Sequence, residues 1–132
     1  MAEKKQPKQL IIRLLVVDDD HDLVRLLAEM LAHENCIVDT ASNGMEALEL
    51  MRATDYNAVI CDLMMSRMGG EELQCNIARE FPYLADRFVF ITGKIERSGG
   101  ASDFVDQTGN VLLFKPFTIE QLHAAVEDVL SR

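Results

Sequence analysis

A chain of 132 residues that is 48% hydrophobic and 27% charged, with only seven Gly and three Pro, excludes a disordered or collagen-like protein and fits one globular domain. Its mass of 14.8 kDa implies that folding buries roughly two-thirds of the unfolded surface, so a core can form without disulfides or metals. Lys and Arg number 13 against 22 Asp and Glu, a net charge of −9 that repels phosphate backbones and anionic lipid and argues against direct nucleic-acid binding.

Cys36, Cys61 and Cys75 are odd in number and no two have metal-ligand spacing, which disfavours a secreted disulfide framework or a zinc site and points to the reducing cytoplasm. No apolar run approaches the roughly 18 residues of a membrane span, and the polar arm at 1–9 has no apolar segment behind its lysines. After that arm, 10–17 is almost continuously apolar, as expected of a strand buried on both faces of a parallel sheet. Leu23, Leu26, Leu27, Met30 and Leu31 then recur at helical spacing and predict a helix over 20–33.

The alternation continues with a short strand at 36–40, followed by Asn43-x-x-Glu46, the form of an N-cap with a reciprocating acidic residue, and a helix to about 52. An all-apolar run at 58–61 ends at Asp62. Beyond Gly69-Gly70 the stripe Leu73, Ile77, Phe81 predicts a helix that Pro82 terminates. A fourth strand is expected at 88–91. Gly and Ser punctuate 93–110 and leave only a weak stripe through Ala101, Phe104 and Val105, which predicts a short, mobile helix. The fifth strand is 111–114, and Thr118-x-x-Gln121 caps a last helix whose Ile119, Leu122, Val126, Val129 and Leu130 share a face.

Such β/α alternation forces a parallel sheet with helices on both faces, and the size suits five strands in the doubly wound order 2-1-3-4-5 with five helices. Ligands of such sheets bind beyond the C-terminal strand ends where strand order reverses, here between the first and third strands. Asp18, Asp19 and Asp20 follow the first strand, Asp62 the third, Thr92 the fourth and Lys115 the fifth, so all converge on one rim. Clustered carboxylates are relieved by a hard divalent cation, for which Mg²⁺ is the candidate. A lysine and a hydroxyl beside that cation suit an incoming anion, and the set describes phosphoryl transfer with Asp62, on the central strand, as nucleophile.

The segments LLVVDDD, VICDLMMSRMGG, FVFITG and LLFKPF resemble, in order and spacing, the four signatures of response-regulator receiver domains, over residues 10–131. The resemblance implies a flavodoxin-like fold and a receiver domain spanning 10–132. It implies that Asp62 accepts a phosphoryl group from a histidine kinase or histidine phosphotransfer domain and that the change is read by an effector or a parent-protein domain. Asp19, Asp62 and the backbone carbonyl of Met64 would ligate Mg²⁺, Asp18 would act mainly through metal-bound water, and Thr92 and Lys115 would contact the phosphoryl oxygens. The Lys115-Pro116 peptide is usually cis in the family. FVDQTGNVLLFKPF resembles receivers at the C-terminus of hybrid sensor kinases, so the chain is expected to be a stand-alone receiver or one domain of a longer protein.

Three departures stand out. Ser66 occupies a position where the family often has Pro, which predicts a looser loop after the third strand. Leu112 replaces the usual aromatic three residues before Lys115, which puts an aromatic-to-threonine switch in doubt. The resemblance implies that the second residues after Asp62 and after Thr92 flank the approach of hydrolytic water; here these are Met64, apolar, and Lys94, cationic, which predicts slow self-dephosphorylation.

Plainer roles are expected elsewhere: Asp20 and Asp22 as helix-start charges, Lys94 as a solvated loop charge, the methionines mostly as packing, and Cys61 as a small buried hydrophobe. His21, His33 and His123 are expected at surfaces or caps. Rival functions are an aspartyl-phosphate phosphohydrolase, for which a second Asp at position 64 is missing, and a nucleotide binder, which would need a phosphate loop where aspartates stand. The third rival is a phosphorylation-independent interaction module.

Overall fold

Five strands and five α-helices alternate along the described residues, 11–93 and 100–132, of the computed structural model. The elements are β1 (Ile12–Val17), α1 (His21–Leu31), β2 (Cys36–Ala41), α2 (Gly44–Ala53), β3 (Ala58–Asp62), α3 (Gly70–Glu80), β4 (Phe88–Thr92), α4 (Gly100–Thr108), β5 (Val111–Phe114) and α5 (Ile119–Leu130). Every strand pair is parallel, in the order β2-β1-β3-β4-β5. The arm at 1–9, Leu10 and Lys94 lie outside the described residues.

β3 and β4 are buried at every position, the consequence of central strands covered above and below, whereas the edge strands β2 and β5 are mostly half-buried. Alternate side chains of each strand enter opposite cores. Leu14, Val16, Ile60, Val89 and Ile91 meet Leu27 and Leu31 of α1 and Leu122, Val126 and Val129 of α5. On the other side Leu15, Val17, Val59, Phe88 and Phe90 meet Leu48 and Met51 of α2, Leu73 and Ile77 of α3, and Val105 of α4.

Two apolar stripes are wider than the contacts they make. In α1 the buried positions are Val24, Leu27 and Leu31, while Leu26 is 51% exposed, because it lies about 100° around the helix from Leu27 and clears the sheet. Ile119, the first residue of α5, is also exposed, and Ala125 takes a core place instead. α3 ends at Glu80, and Pro82 opens a 3₁₀ turn at Pro82–Leu84.

Capping sets where the helices begin. Asp20 accepts from the amides of Asp22 and Leu23 at the start of α1, and Thr118 and Gln121 make a reciprocal capping box on α5. Asn43 accepts from the Glu46 amide, but the Glu46 carboxylate bonds the Ser42 hydroxyl at 2.7 Å, not the Asn43 amide as a capping box would have it. At the opposite end of the sheet the Asn110 amide group accepts from Phe88 N–H at 2.8 Å and donates to Ala85 O at 3.0 Å, tying the approaches to β4 and β5 together.

Candidate metal centre

The rim site is assembled by strand ends. The amide of Asp18 donates to Ala41 O at 3.1 Å, extending the β1–β2 register by one residue, and the residue is 1% exposed. Asp18 Oδ1 accepts from the Asp20 amide at 3.0 Å. Asp20 itself is occupied by its capping role, so of the three consecutive aspartates Asp18 is buried, Asp19 is exposed at the rim and Asp20 serves the helix. Asp62 closes β3, is buried, and accepts from the Met64 amide through Oδ1 at 3.0 Å.

One carboxylate oxygen from each of Asp18, Asp19 and Asp62 lies within 4.8 Å of the others. Lys115 Nζ stands 3.8 Å from Asp18 Oδ2 and 3.7 Å from Asp62 Oδ2, longer than hydrogen bonds and shared between two acids. Thr92 ends β4 next to the strand carrying Asp62, is buried, and its carbonyl accepts from the Lys115 amide at 2.9 Å, which brings β5's lysine to the same rim. The Lys115-Pro116 peptide is cis.

The charges do not balance without a cation. Asp18 Oδ2 is buried and has no hydrogen-bond partner. Burial raises its carboxyl from the ordinary 3.8 to about 6, with nearby Asp62 adding to the rise and the Asp20 amide and Lys115 opposing it. Three clustered carboxylates, two of which share one ammonium, with one buried oxygen lacking a hydrogen bond, are a donor set of hard oxygens that fits a small divalent cation.

A pH effect follows. Because Asp18 binds its proton up to about pH 6 when folded but only to about 3.8 when unfolded, the folded state holds the extra proton in that window. Stability of the metal-free protein therefore falls as pH rises through it. Melting temperatures in EDTA across this range are expected to show that component in the wild type and to lose it in Asp18→Asn; parallel profiles would contradict it.

The loop from β3 to α3 is tied at several points. Gly70 N–H donates to Leu63 O at 3.2 Å, and Gly44 N–H, at the start of α2, donates to Arg67 O at 3.0 Å. Met65 and Met68 pack against the core, but Met64 is 59% exposed and Met45 is exposed too, so packing does not account for either. Gly44 is the site-related residue that periodicity did not single out; its only sequence signal was its place directly after the Asn43 cap.

The remaining candidates take ordinary roles. Cys61 is fully buried, its thiol donates to Asp62 O at 3.3 Å, and burial pushes the thiol well up. His123 Nε2 donates to Met30 O at 2.8 Å near the end of α1, and His33 Nδ1 accepts from the Asn35 amide at 3.4 Å. His21 opens α1 at the surface. Leu112 is half-buried against the core on the α4 side of the sheet.

Residues 14–127 match the family model of the response regulator receiver domain. The chain belongs to that family. This receiver domain is 30% identical over 120 residues to the response regulator ArlR of Staphylococcus aureus, covering 91% of this chain and 53% of that protein. It thus spans about half the length of the curated relatives it matches. Its fold matches the chemotaxis protein CheY4 of Vibrio cholerae with a TM-score of 0.79 at 24% identity, covering 91% of this chain and 99% of that one. The response regulator TrrA of Thermotoga maritima, solved in complex with Mg²⁺-BeF, matches with a TM-score of 0.77 at 28% identity, over 91% of this chain and 100% of that one.

Receiver domains are the phosphoacceptor modules of two-component signalling, and this chain is one; members of the family bind Mg²⁺ in an acidic pocket and generally work with histidine kinases and effector domains. That membership sets aside the phosphohydrolase and nucleotide-binder readings. No helix among the described residues is long and apolar enough to cross a membrane.

Proposed function

We propose that Asp62 is the phosphoacceptor of this receiver domain and that Asp18, Asp19, Asp62 and the Met64 carbonyl hold Mg²⁺. The observation that carries this is the buried oxygen of Asp18 that lacks a hydrogen bond beside Asp62, with Lys115 poised between the two acids. Asp62 attacks the phosphorus of a phosphohistidine; the O–P bond forms, the N–P bond breaks, and the imidazole nitrogen takes the electron pair. The Met64 amide on Oδ1 fixes the carboxylate plane for in-line approach. Lys115 leaves its shared position to meet the phosphoryl oxygens, and the Thr92 hydroxyl donates to one of them. A cation held by these carboxylates would supply neutralising charge for the anionic group that arrives.

The donor is a histidine kinase or a histidine phosphotransfer domain, and the recipient of the signal is an effector or another domain of a longer protein. The three free cysteines suit a reducing cytoplasm. The apolar, exposed Met64 gives hydrolytic water no strong hydrogen bond and favours a long-lived acyl phosphate.

Asp19 offers the test of the metal set, since it is exposed and, among the described residues, its carboxylate makes no capping or buried structural bond that a substitution would break. Asp19→Asn is expected to weaken Mg²⁺ binding about tenfold or more, roughly 1.4 kcal/mol, while the melting temperature in EDTA stays at or above that of the wild type because the cluster loses one repelling charge. Calorimetric titration measures both proteins. Equal affinities would place the metal elsewhere.

A further inference from the structure

The loop that carries Met64 is held from outside by the first residue of α2. A Cβ placed on Gly44 would lie 2.3 Å from Met68 O, 2.7 Å from Met68 Cβ and 2.8 Å from Met68 Cγ, so the backbone of the loop rests directly on the glycine. Gly44 N–H also donates to Arg67 O at 3.0 Å. Met68 has φ +50°, the left-handed region that a side chain like methionine enters only when its surroundings impose it. At its base the same loop folds back on the acceptor strand: a Cβ on Gly70 would lie 2.8 Å from Asp62 O, and one on Gly69 2.9 Å from Leu63 O. α2 itself is held by Ala47, Leu48 and Met51, buried in the core, and its far end meets α3 where Arg52 donates two 2.8 Å hydrogen bonds to Glu80. A side chain at position 44 therefore meets a helix anchored at its other end, and the loop is the part that gives.

We propose that Gly44 is a positioning residue for the metal centre: contact between the start of α2 and Arg67-Met68 sets where the Met64 carbonyl is presented. This rests on the assignment of Met64 as a ligand, and it accounts for a loop held in place although Ser66 stands where a rigid proline is usual. The contact is also reciprocal, since a cation that restrains the loop restrains the Gly44 amide by the same coupling.

Gly44→Ala is expected to weaken Mg²⁺ binding about tenfold, the size typical when a group that orients a ligand is lost. Ala53→Gly, which loosens the other end of α2 without touching the loop, is expected to keep wild-type affinity. In the wild type, adding Mg²⁺ is expected to slow hydrogen exchange of the Gly44 amide, a readout that needs no variant and survives if Gly44→Ala does not fold. Wild-type affinity in folded Gly44→Ala, equal losses in Ala53→Gly, or unchanged exchange at Gly44 would each overturn the proposal. Failure of the wild type to bind Mg²⁺ at all would instead overturn the site assignment on which it rests.

Discussion

Asp62→Asn is expected to abolish phosphorylation. After incubation with acetyl phosphate and Mg²⁺, the intact wild-type protein should gain about 80 Da, one phosphoryl group, and the variant nothing. The substitution is nearly isosteric, and the amide oxygen can still accept from the Met64 amide as Oδ1 does now. What it removes is the carboxylate oxygen that faces Lys115 and one negative charge from the cluster. Labelling that persists in Asp62→Asn would mean that another carboxylate, Asp18 or Asp19, accepts the group, and the assignment of the centre would have to change. A wild type that shows no gain would leave an interaction module as the better account.

The second large effect is expected at Lys115. Its ammonium is 3.8 Å from Asp18 and 3.7 Å from Asp62, so Lys115→Ala removes a cation that competes with Mg²⁺ for the same carboxylates. Mg²⁺ affinity should hold or rise. The phosphorylated variant should nevertheless lose most of the chemical-shift change that phosphorylation causes in the wild type, because the charge-assisted contact that rewards rearrangement is gone. The lysine side chain is one-third exposed, so solvent screens part of its influence and the gain in metal affinity is expected to stay within about tenfold. A full phospho-dependent shift pattern in Lys115→Ala would remove the lysine from the switch.

Much of this architecture was legible in the sequence because its determinants are local. Continuous apolar runs marked β3 and β4, whose every residue is buried, and the Thr118-Gln121 pair marked the start of α5. The rim site was legible for a topological reason: once strands alternate with helices, residues that end different strands must meet. What was hidden depends on how far each helix overlaps the sheet. Leu26 and Ile119 carry the right period and still face solvent, since periodicity reports a helical stripe and not where its contact stops. Glu46 chose the nearer Ser42 hydroxyl over the amide that the capping pattern supplies. The contact of Gly44 with Met68 joins backbones 24 positions apart and leaves no trace in composition except a missing side chain.

The bonds that flank α4 form a frame. At the rim the Thr92 carbonyl accepts from the Lys115 amide, and at the far end the Asn110 side chain joins Phe88 to Ala85. The β4–β5 pair is therefore pinned at both of its ends in the ground state. A pull on Thr92 cannot be dissipated as slippage of one strand along the other. A displacement of Thr92 therefore reaches Lys115 through the backbone bond that joins them, and the two rim residues shift together.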